Sequence, residues 1–256
     1  MPEARRLPPA FLSRPLAHRG LHWLGTGAAE NSRAAMLAAC NAGYGIELDV
    51  QMSRDGEAMV FHDNDLDRLT AESGPVNEHM AADLGRIALK GGIGTIPTLA
   101  EILGLVEGRT PLLIELKDQD GGLGRDVGRM ERRVADILSD YEGQVACMSF
   151  NPHTVAAVRD AAPALPLGLV TGPFAAEHWS NVPPPRLAEL RGMPDLRRVG
   201  AAFISHHHRD LAARPVAAAK AAGLDVLCWT VRSRQEEAAA RLVADNITFE
   251  GFMPVT

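Results

Sequence analysis

The sequence predicts an α/β fold and, within that class, a (β/α)8 TIM barrel. Short apolar runs with the length of buried strands alternate with helical stretches along all 256 residues, which favours a parallel sheet. Eight such runs in a chain of about 250 residues fit a closed barrel. A doubly wound open sheet is the competing fold, but the turn after the first run, HRGLHWLG, lacks the G-x-G-x-x-G pattern typical of it.

Eight runs are predicted to form the barrel strands, and each has an apolar centre of about four to seven residues. In chain order they are PLAHRG (15–20), GIELDV (45–50), TPLLIELK (110–117), QVACMSF (144–150), LPLGLVT (165–171), AAFISHH (201–207), DVLCWTV (225–231) and NITFEG (246–251).

The helices between these runs are recognised by their start signals. Asn31-Ser32 precedes the first helix, and Asn151-Pro152 combines a cap with proline at the first helical position. The capping-box spacing, Ser or Thr followed three residues later by Glu, occurs at Thr98–Glu101 and at Ser233–Glu236.

A ninth run, VFHD (60–63), is predicted to lie outside the barrel. Only a segment such as SRDGEA separates it from GIELDV, whereas a parallel crossover needs about a dozen residues or more. The two runs are therefore expected to be antiparallel and joined by a hairpin at Asp55-Gly56. This β-hairpin extension of the second strand returns His62 to Glu47 and Asp49, at the rim where barrel enzymes hold their active sites.

Composition and charge argue against several classes of protein. The net charge of -6 disfavours a general electrostatic role on nucleic acid or on a membrane, and no segment approaches the ~18 uninterrupted apolar residues of a membrane span. Cys40, Cys147 and Cys228 lie in apolar runs and are interpreted as buried thiols of a reducing compartment. Without a signal-peptide pattern, we expect a cytoplasmic protein whose residues 1–256 form one barrel domain.

Ionisable side chains concentrate where the predicted strands end, although they are costly inside apolar strands unless paired or bound to a metal. Side chains two apart on a strand face the same side, so Glu47 is expected to point with Asp49, and Glu115 with Lys117. The residues predicted to meet at the rim are His18, Arg19, Glu47, Asp49, His62, Glu115 and Lys117.

Three carboxylates from neighbouring strands would repel one another unless a cation lay between them. Oxygen ligands suit Mg²⁺ or Ca²⁺ far better than zinc, so Glu47, Asp49 and Glu115 are predicted to hold one such ion. Taken alone, an E-x-D pair on a strand more often forms a salt bridge. A metal site is favoured only because the other ionisable rim residues are predicted to lie beside this pair.

The remaining rim residues fit the cleavage of a phosphodiester. Arg19 and Lys117 can neutralise a phosphate. His18 and His62 can divide the proton transfers, one histidine acting on the attacking group and the other on the leaving oxygen. The sequence offers neither a serine nucleophile elbow nor a cysteine beside a predicted base.

These segments together resemble the glycerophosphodiester phosphodiesterases. The matching motifs are HRG (18–20), AENS (29–32), IELDVQMSRDGEAMVFHD (46–63), IPTLAEIL (96–103), LLIELK (112–117), SFNPHTVAAVR (149–159) and CWTV (228–231). The resemblance implies a barrel of the phospholipase-C-like phosphodiesterase type, a divalent metal ion, and a small-molecule glycerophosphodiester as substrate. The implied products are sn-glycerol 3-phosphate and an alcohol.

The resemblance also implies a role for each matching residue. The metal ligands would be Glu47, Asp49 and Glu115, the acid/base pair His18 and His62, and the substrate-binding residues Arg19, Lys117 and Trp229. It further suggests that the neighbouring hydroxyl of the glycerol attacks the phosphorus, with direct attack by water as the alternative. The sequence departs from the family's usual form in three places. Ala29 stands where the family commonly has proline before Glu-Asn. The other two are the segment LHWLGTGA (21–28) and the last strand, NITFEG, where the family usually has Thr-Asp.

Two long segments, 64–95 and 172–200, leave the rim and are candidates for the walls of a substrate cleft, although plain surface excursions are as good an interpretation. Phe150 is expected either in the core or against the glycerol. A phospholipase D-like enzyme on lysophospholipids is an alternative function that needs membrane access, for which no basic amphipathic helix is evident. A catalytically silent, phosphodiester-binding barrel is disfavoured because the full catalytic set is present.

Overall fold

The computed structural model describes residues 6–22 and 27–255, which form a barrel of eight parallel strands surrounded by helices. The strands are β1 (Leu16–His18), β2 (Gly45–Met52), β3 (Ala58–Val60), β4 (Leu112–Leu116), β5 (Val145–Ser149), β6 (Leu167–Thr171), β7 (Phe203–His207), β8 (Asp225–Val231) and β9 (Asn246–Phe249). The helices are α1 (Ala10–Ser13), α2 (Arg33–Asn41), α3 (Ala81–Leu84), α4 (Leu99–Val106), α5 (Arg129–Leu138), α6 (Pro152–Ala161), α7 (Pro184–Arg191), α8 (Leu196–Val199), α9 (Arg214–Ala221) and α10 (Arg234–Ala240).

The first strand closes the barrel. Leu16 of β1 is in register with Gly45 of β2 on one side and with Thr248 of β9 on the other, and both pairings are parallel. Between them the neighbours run β2, β4, β5, β6, β7, β8 and β9. The predicted (β/α)8 barrel is therefore confirmed, and the open doubly wound sheet is wrong because an open sheet leaves its edge strands unpaired.

The hairpin after the second barrel strand is also confirmed. Strand β3 pairs antiparallel with β2, with Val50 opposite Val60 and Met52 opposite Ala58. The turn between them needs a positive φ of 91° at Gly56, a conformation that glycine adopts without strain. Because the return is so tight, the chain after β3 runs directly back toward the carboxyl end of β2.

Most of the predicted helix starts form as expected. The Ser32 side chain accepts a hydrogen bond from the N–H of Ala35, and Thr98 with Glu101 forms a complete capping box. At α10 only half of the predicted box forms. Ser233 caps the N–H of Glu236, but the Glu236 carboxylate accepts from the N–H of Arg232 at 2.7 Å, one residue before the cap.

Side chains alternate along each strand between the barrel interior and the helices. Leu16, Leu113 and Phe203 point inward at the amino-terminal end and are buried together with Phe11 of α1. The Phe203 ring packs directly against Gly168, where a Cβ would lie only 2.3 Å from the ring. Farther along the same inward faces, toward the carboxyl ends of the strands, the side chains become charged.

No helix within the described residues combines the length and the apolar character needed to cross a membrane. Cys40, Cys147 and Cys228 are free thiols, but only Cys147 and Cys228 are buried as predicted, because Cys40 lies on α2 and is partly exposed. Burial raises the pKa of both Cys147 and Cys228 to about 12, so these two thiols stay protonated at neutral pH.

Candidate active site

A pocket of about 190 Å³ opens at the carboxyl ends of the strands, and every strand of the barrel contributes to its wall. The lining residues are His18, Arg19, Glu47, Asp49, His62, Glu115, Lys117, Met148, Phe150, Val170, His207, Trp229, Thr230, Arg232 and Thr248. All eight site residues singled out from the sequence are among them. The pocket is therefore the place where the predicted chemistry would be assembled.

Three buried carboxylates meet in this pocket. Adjacent strands bring them together, because Asp49 of β2 is in register with Glu115 of β4. One oxygen from each of Glu47, Asp49 and Glu115 lies within 4.8 Å of the others. All three side chains are almost completely buried. The convergence expected from the two-residue spacing is thus observed.

Two cations lie directly against this carboxylate cluster. The Lys117 ammonium is 2.7 Å from Asp49 Oδ1 and 2.6 Å from Glu115 Oε1, and Arg19 Nε is 3.3 Å from Asp49 Oδ2. Burial alone would lower the pKa of Lys117, but the charges of Asp49 and Glu115 outweigh it and raise the pKa. Lys117 therefore stays charged and neutralises part of the cluster.

Glu47 is the least compensated of the three acids. Its Oε2 accepts a hydrogen bond from the backbone N–H of Arg19 at 3.1 Å. Burial, followed by the negative charges of Asp49 and Glu115, raises the pKa of Glu47 well above its ordinary value. An added cation would remove this penalty, and a set of three carboxylates fits a hard divalent ion such as Mg²⁺ or Ca²⁺.

His18 is oriented by Glu250, which follows β9. The ring Nδ1 lies 2.8 Å from Glu250 Oε2, which leaves Nε2 as the nitrogen that can act on a substrate. Burial outweighs the hydrogen bond to the carboxylate and lowers the pKa of His18 to about 4, so the ring is neutral at neutral pH. The sequence did not show what the last strand, NITFEG, contributes to the site. In the structure Thr248 lines the pocket and Glu250 holds His18.

His62 is held from the hairpin side by a chain of ion pairs. Its Nδ1 lies 2.6 Å from Asp63 Oδ1, and Asp63 in turn pairs with Arg68. Arg68 donates to Glu30 at 2.8 Å, and the Glu30 carboxylate also accepts from Arg19 at 2.6 Å. The two sides of the pocket are thus joined through one polar network, and neither histidine shares its carboxylate partner with the other.

Two wider clefts adjoin the pocket. One, of about 590 Å³, continues from His62 and Lys117 past the acidic stretch 63–67. The other, of about 530 Å³, continues from Trp229 to the aromatic rings of the segment 172–200. Phe150, His178 and Trp179 border both clefts. Both long segments predicted as candidate cleft walls therefore line clefts in the described structure.

The aromatic side of the site is built around Phe150. Its ring centroid lies 5.0 Å from that of Trp179 and 5.5 Å from that of Trp229, both in edge-to-face geometry. Phe174 is buried beside Trp179 at 5.4 Å. The Trp229 indole N–H donates to the Ser205 carbonyl at 2.9 Å, which fixes this ring at the edge of the catalytic pocket.

Four residues of the polar network were not singled out from the sequence. Asp63 and Glu30 lie inside matched motifs, so the signal was present beside His62 and Asn31. Arg68 carried no such signal, and Glu250 was marked only by the departure of NITFEG from the family's usual last strand. Each is brought beside its partner, Asp63 or His18, by a segment whose path depends on the tertiary structure. Of the departing segment LHWLGTGA, residues 23–26 lie outside the described residues.

Residues 18–247 match the model of the glycerophosphoryl diester phosphodiesterase family. The chain is 32% identical over 173 residues to the glycerophosphodiester phosphodiesterase of Caldanaerobacter subterraneus subsp. tengcongensis, covering 64% of this chain and 69% of that relative. A phosphodiesterase from Oleispira antarctica, solved in complex with the product sn-glycerol-3-phosphate, has the same fold, with a TM-score of 0.73, 23% identity and 94% of each chain covered. A glycerophosphodiester phosphodiesterase from Parabacteroides distasonis matches with a TM-score of 0.70, 24% identity and 92% of each chain covered.

Proposed function

This chain belongs to the glycerophosphoryl diester phosphodiesterase family, a family of phosphodiester-hydrolysing enzymes, and we propose that it converts glycerophosphodiesters to sn-glycerol 3-phosphate and an alcohol. The observation that carries the proposal is one pocket in which three carboxylates, two cations and two separately oriented histidines meet. The product bound to the Oleispira antarctica phosphodiesterase supports the choice of product. We further propose that residues 1–256 form one barrel domain that acts in the cytoplasm.

The carboxylates of Glu47, Asp49 and Glu115 are proposed to hold one Mg²⁺ or Ca²⁺ ion. When bound, such an ion polarises a phosphate oxygen and offsets the negative charge that develops there during displacement. Arg19 and Lys117 border the same pocket and are proposed to bind the remaining phosphate oxygens by charge-assisted hydrogen bonds.

His18 is proposed as the general base and His62 as the general acid. The His18 ring is neutral and only 13% exposed, and its Nδ1–H is held by Glu250, so Nε2 can accept the proton of the attacking hydroxyl. As the new P–O bond forms, the bond to the alcohol breaks and the departing oxygen takes a proton from His62. His62 is 32% exposed and borders the wider acidic cleft, through which a bulky alcohol can leave.

The attacking oxygen is either the neighbouring hydroxyl of the glycerol or a water molecule. In the first case a cyclic phosphate forms, and water opens it in a second step. A glycerophosphodiester analogue without that hydroxyl separates the two routes, because it is hydrolysed only if water attacks directly.

The aromatic cleft favours lysophospholipids as a second candidate substrate class. Phe150, Phe174, Trp179 and Trp229 border a largely apolar space of about 530 Å³ next to the catalytic pocket. Such a surface can bury part of an acyl chain, at about 25 cal/mol per Å² of apolar area removed from water. Cleavage at the same phosphodiester position would then be of the phospholipase D type.

One assay tests the proposed function. Purified protein is stripped of metal and incubated with glycerophosphocholine or lysophosphatidylcholine, in Mg²⁺, Ca²⁺ or EDTA. We expect metal-dependent release of sn-glycerol 3-phosphate from glycerophosphocholine. The second candidate predicts, in addition, release of choline and lysophosphatidic acid from the lysolipid. Absence of product with every metal would refute both, and equal rates in EDTA would refute the metal requirement.

A further inference from the structure

Two of the segments in which the sequence departs from the family's usual form, one after β1 and one after β9, each place a residue beside His18. His22 lies in the first segment and Glu250 in the second. One ligand atom from each of His18, His22 and Glu250 lies within 4.8 Å of the other two. Neither His22 nor Glu250 lines the catalytic pocket, so this group forms a second cluster on the outer side of His18.

The ring nitrogen Nε2 of His22 is buried and has no hydrogen-bond partner in the described structure. A buried polar nitrogen left unpaired destabilises the folded state. Burial also lowers the pKa of His22, so the ring is neutral and one of its two nitrogens carries a lone pair that can bind a cation. A ligand that accepts this lone pair would satisfy the atom.

The donor set of this cluster differs in kind from the carboxylate cluster inside the pocket. Two imidazoles and one carboxylate, with a position left for water, form the three-ligand set that zinc occupies in proteins. Mg²⁺ and Ca²⁺ prefer oxygen ligands only, so they are expected to select Glu47, Asp49 and Glu115 instead. The outer cluster therefore suits a borderline cation, whereas the three carboxylates suit hard cations and bind Zn²⁺ only when no hard cation competes.

The local charges permit a cation at the outer cluster. Glu250 also forms an ion pair with Arg232, with Nη2 of Arg232 3.2 Å from Oε2 of Glu250. The Arg232 side chain is 58% exposed, so it can move into solvent at little cost in free energy. Glu250 is ionised, because its bond from His18 lowers its pKa to about 2. The members are only partly buried, so an ion can reach them from the rim.

We propose that His18, His22 and Glu250 form an inhibitory Zn²⁺ site. The inhibition rests on the proposed function, in which His18 transfers a proton. Zinc bound to one ring nitrogen occupies its lone pair and fixes the proton on the other, so the ring can no longer accept and return a proton. Zinc also binds the Glu250 oxygen that otherwise orients the His18 ring by a hydrogen bond. Activity would then fall while Mg²⁺ or Ca²⁺ remains at the carboxylates.

Calorimetric titration of ZnCl₂ into the metal-free 256-residue protein tests the site directly. We expect two zinc equivalents in the unchanged protein, one of which Glu115→Gln removes or weakens and the other of which His22→Ala weakens at least tenfold. His178→Ala is the matched control, because His178 is 77% exposed and lies in neither cluster. A circular-dichroism melt checks that each variant is folded, and His22→Asn replaces His22→Ala if the latter is not. Unchanged zinc binding by the folded His22 variant would overturn the proposal.

The kinetic consequence is measured at saturating Mg²⁺, with each rate expressed relative to the same variant without zinc. His22→Ala should need at least tenfold more Zn²⁺ for half inhibition than the unchanged protein or His178→Ala. Equal inhibition of all three would place the inhibitory ion elsewhere and overturn the regulatory claim. Loss of the zinc equivalent in His22→Ala, in a protein that hydrolyses no glycerophosphodiester, would support the site and refute the proposed function instead.

Discussion

The two ends of the barrel interior are built from the same strands and differ in almost every other respect. At the amino-terminal end the inward side chains are apolar, and Leu16, Leu113 and Phe203 are fully buried beneath α1. Two to four residues later on the same faces stand His18, Glu115 and Lys117. One end removes apolar area from water, and the other holds several charges within a few ångströms of one another.

The same inward-facing strand positions thus form an apolar core at one end of the barrel and a charged pocket at the other. Apolar contacts at the amino-terminal end tolerate no gap, as the approach of Phe203 to Gly168 shows. Buried charges at the carboxyl end stabilise little by themselves, because desolvation opposes their attraction. We therefore expect substitutions at one end to change mainly the free energy of unfolding and substitutions at the other to change mainly the rate.

The largest effect is expected at the apolar end. Phe203→Ala would leave a cavity among fully buried side chains and lower the free energy of unfolding by about 3–5 kcal/mol. Chemical denaturation measures the loss, and kcat of the folded fraction should stay within about threefold. A stable Phe203→Ala protein with a greatly reduced kcat would contradict the division between the two ends.

The two histidines test the catalytic end. His18→Ala and His62→Ala should each lose at least ~100-fold in kcat on glycerophosphocholine while the free energy of unfolding changes by less than about 1 kcal/mol. A substrate with p-nitrophenol as the alcohol separates the roles, because that leaving group needs no acid. His62→Ala should recover most of its rate on it and His18→Ala should not. The opposite pattern would exchange the two roles.

A smaller effect is expected from a single carboxylate. Glu47→Gln keeps the shape of the side chain but removes its charge, so about tenfold more Mg²⁺ or Ca²⁺ should be needed for half-maximal activity. Excess metal should partly restore the rate. Glu57→Gln is the control, because Glu57 lies on the hairpin, outside the catalytic pocket, and pairs with Arg133 of α5. Unaltered metal dependence in Glu47→Gln would remove Glu47 from the ligand set.

The smallest effects are expected from the partners of the histidines. Glu250→Gln and Asp63→Asn each replace a charge-assisted hydrogen bond by a neutral one, a difference of about 1–1.5 kcal/mol. Each should lower kcat about tenfold and leave KM for glycerophosphocholine nearly unchanged. A change confined to KM would show that these carboxylates bind substrate rather than orient His18 and His62.

Much of the fold could be predicted because its signals are local. Each strand has its own apolar run and each helix its own start, so all eight barrel strands and the hairpin were placed correctly. The eight site residues reach one pocket because parallel strands end at the same rim and two-residue spacing fixes the side. The complete capping box at Ser233 was wrong, since Glu236 binds the N–H one residue earlier.

Local patterns were enough to predict the barrel, the hairpin and the chemical character of the pocket, since periodicity, turn residues and motif spacing act over short stretches of chain. The partner of each proposed catalytic group could be read only from the folded chain. His18 meets Glu250 across 232 residues of sequence, and Arg68 joins Glu30 across 38. Such pairs depend on how the barrel closes and on the paths of its loops, because that closure sets distances that no local pattern encodes. The cluster of His18, His22 and Glu250 likewise forms only when the barrel closes.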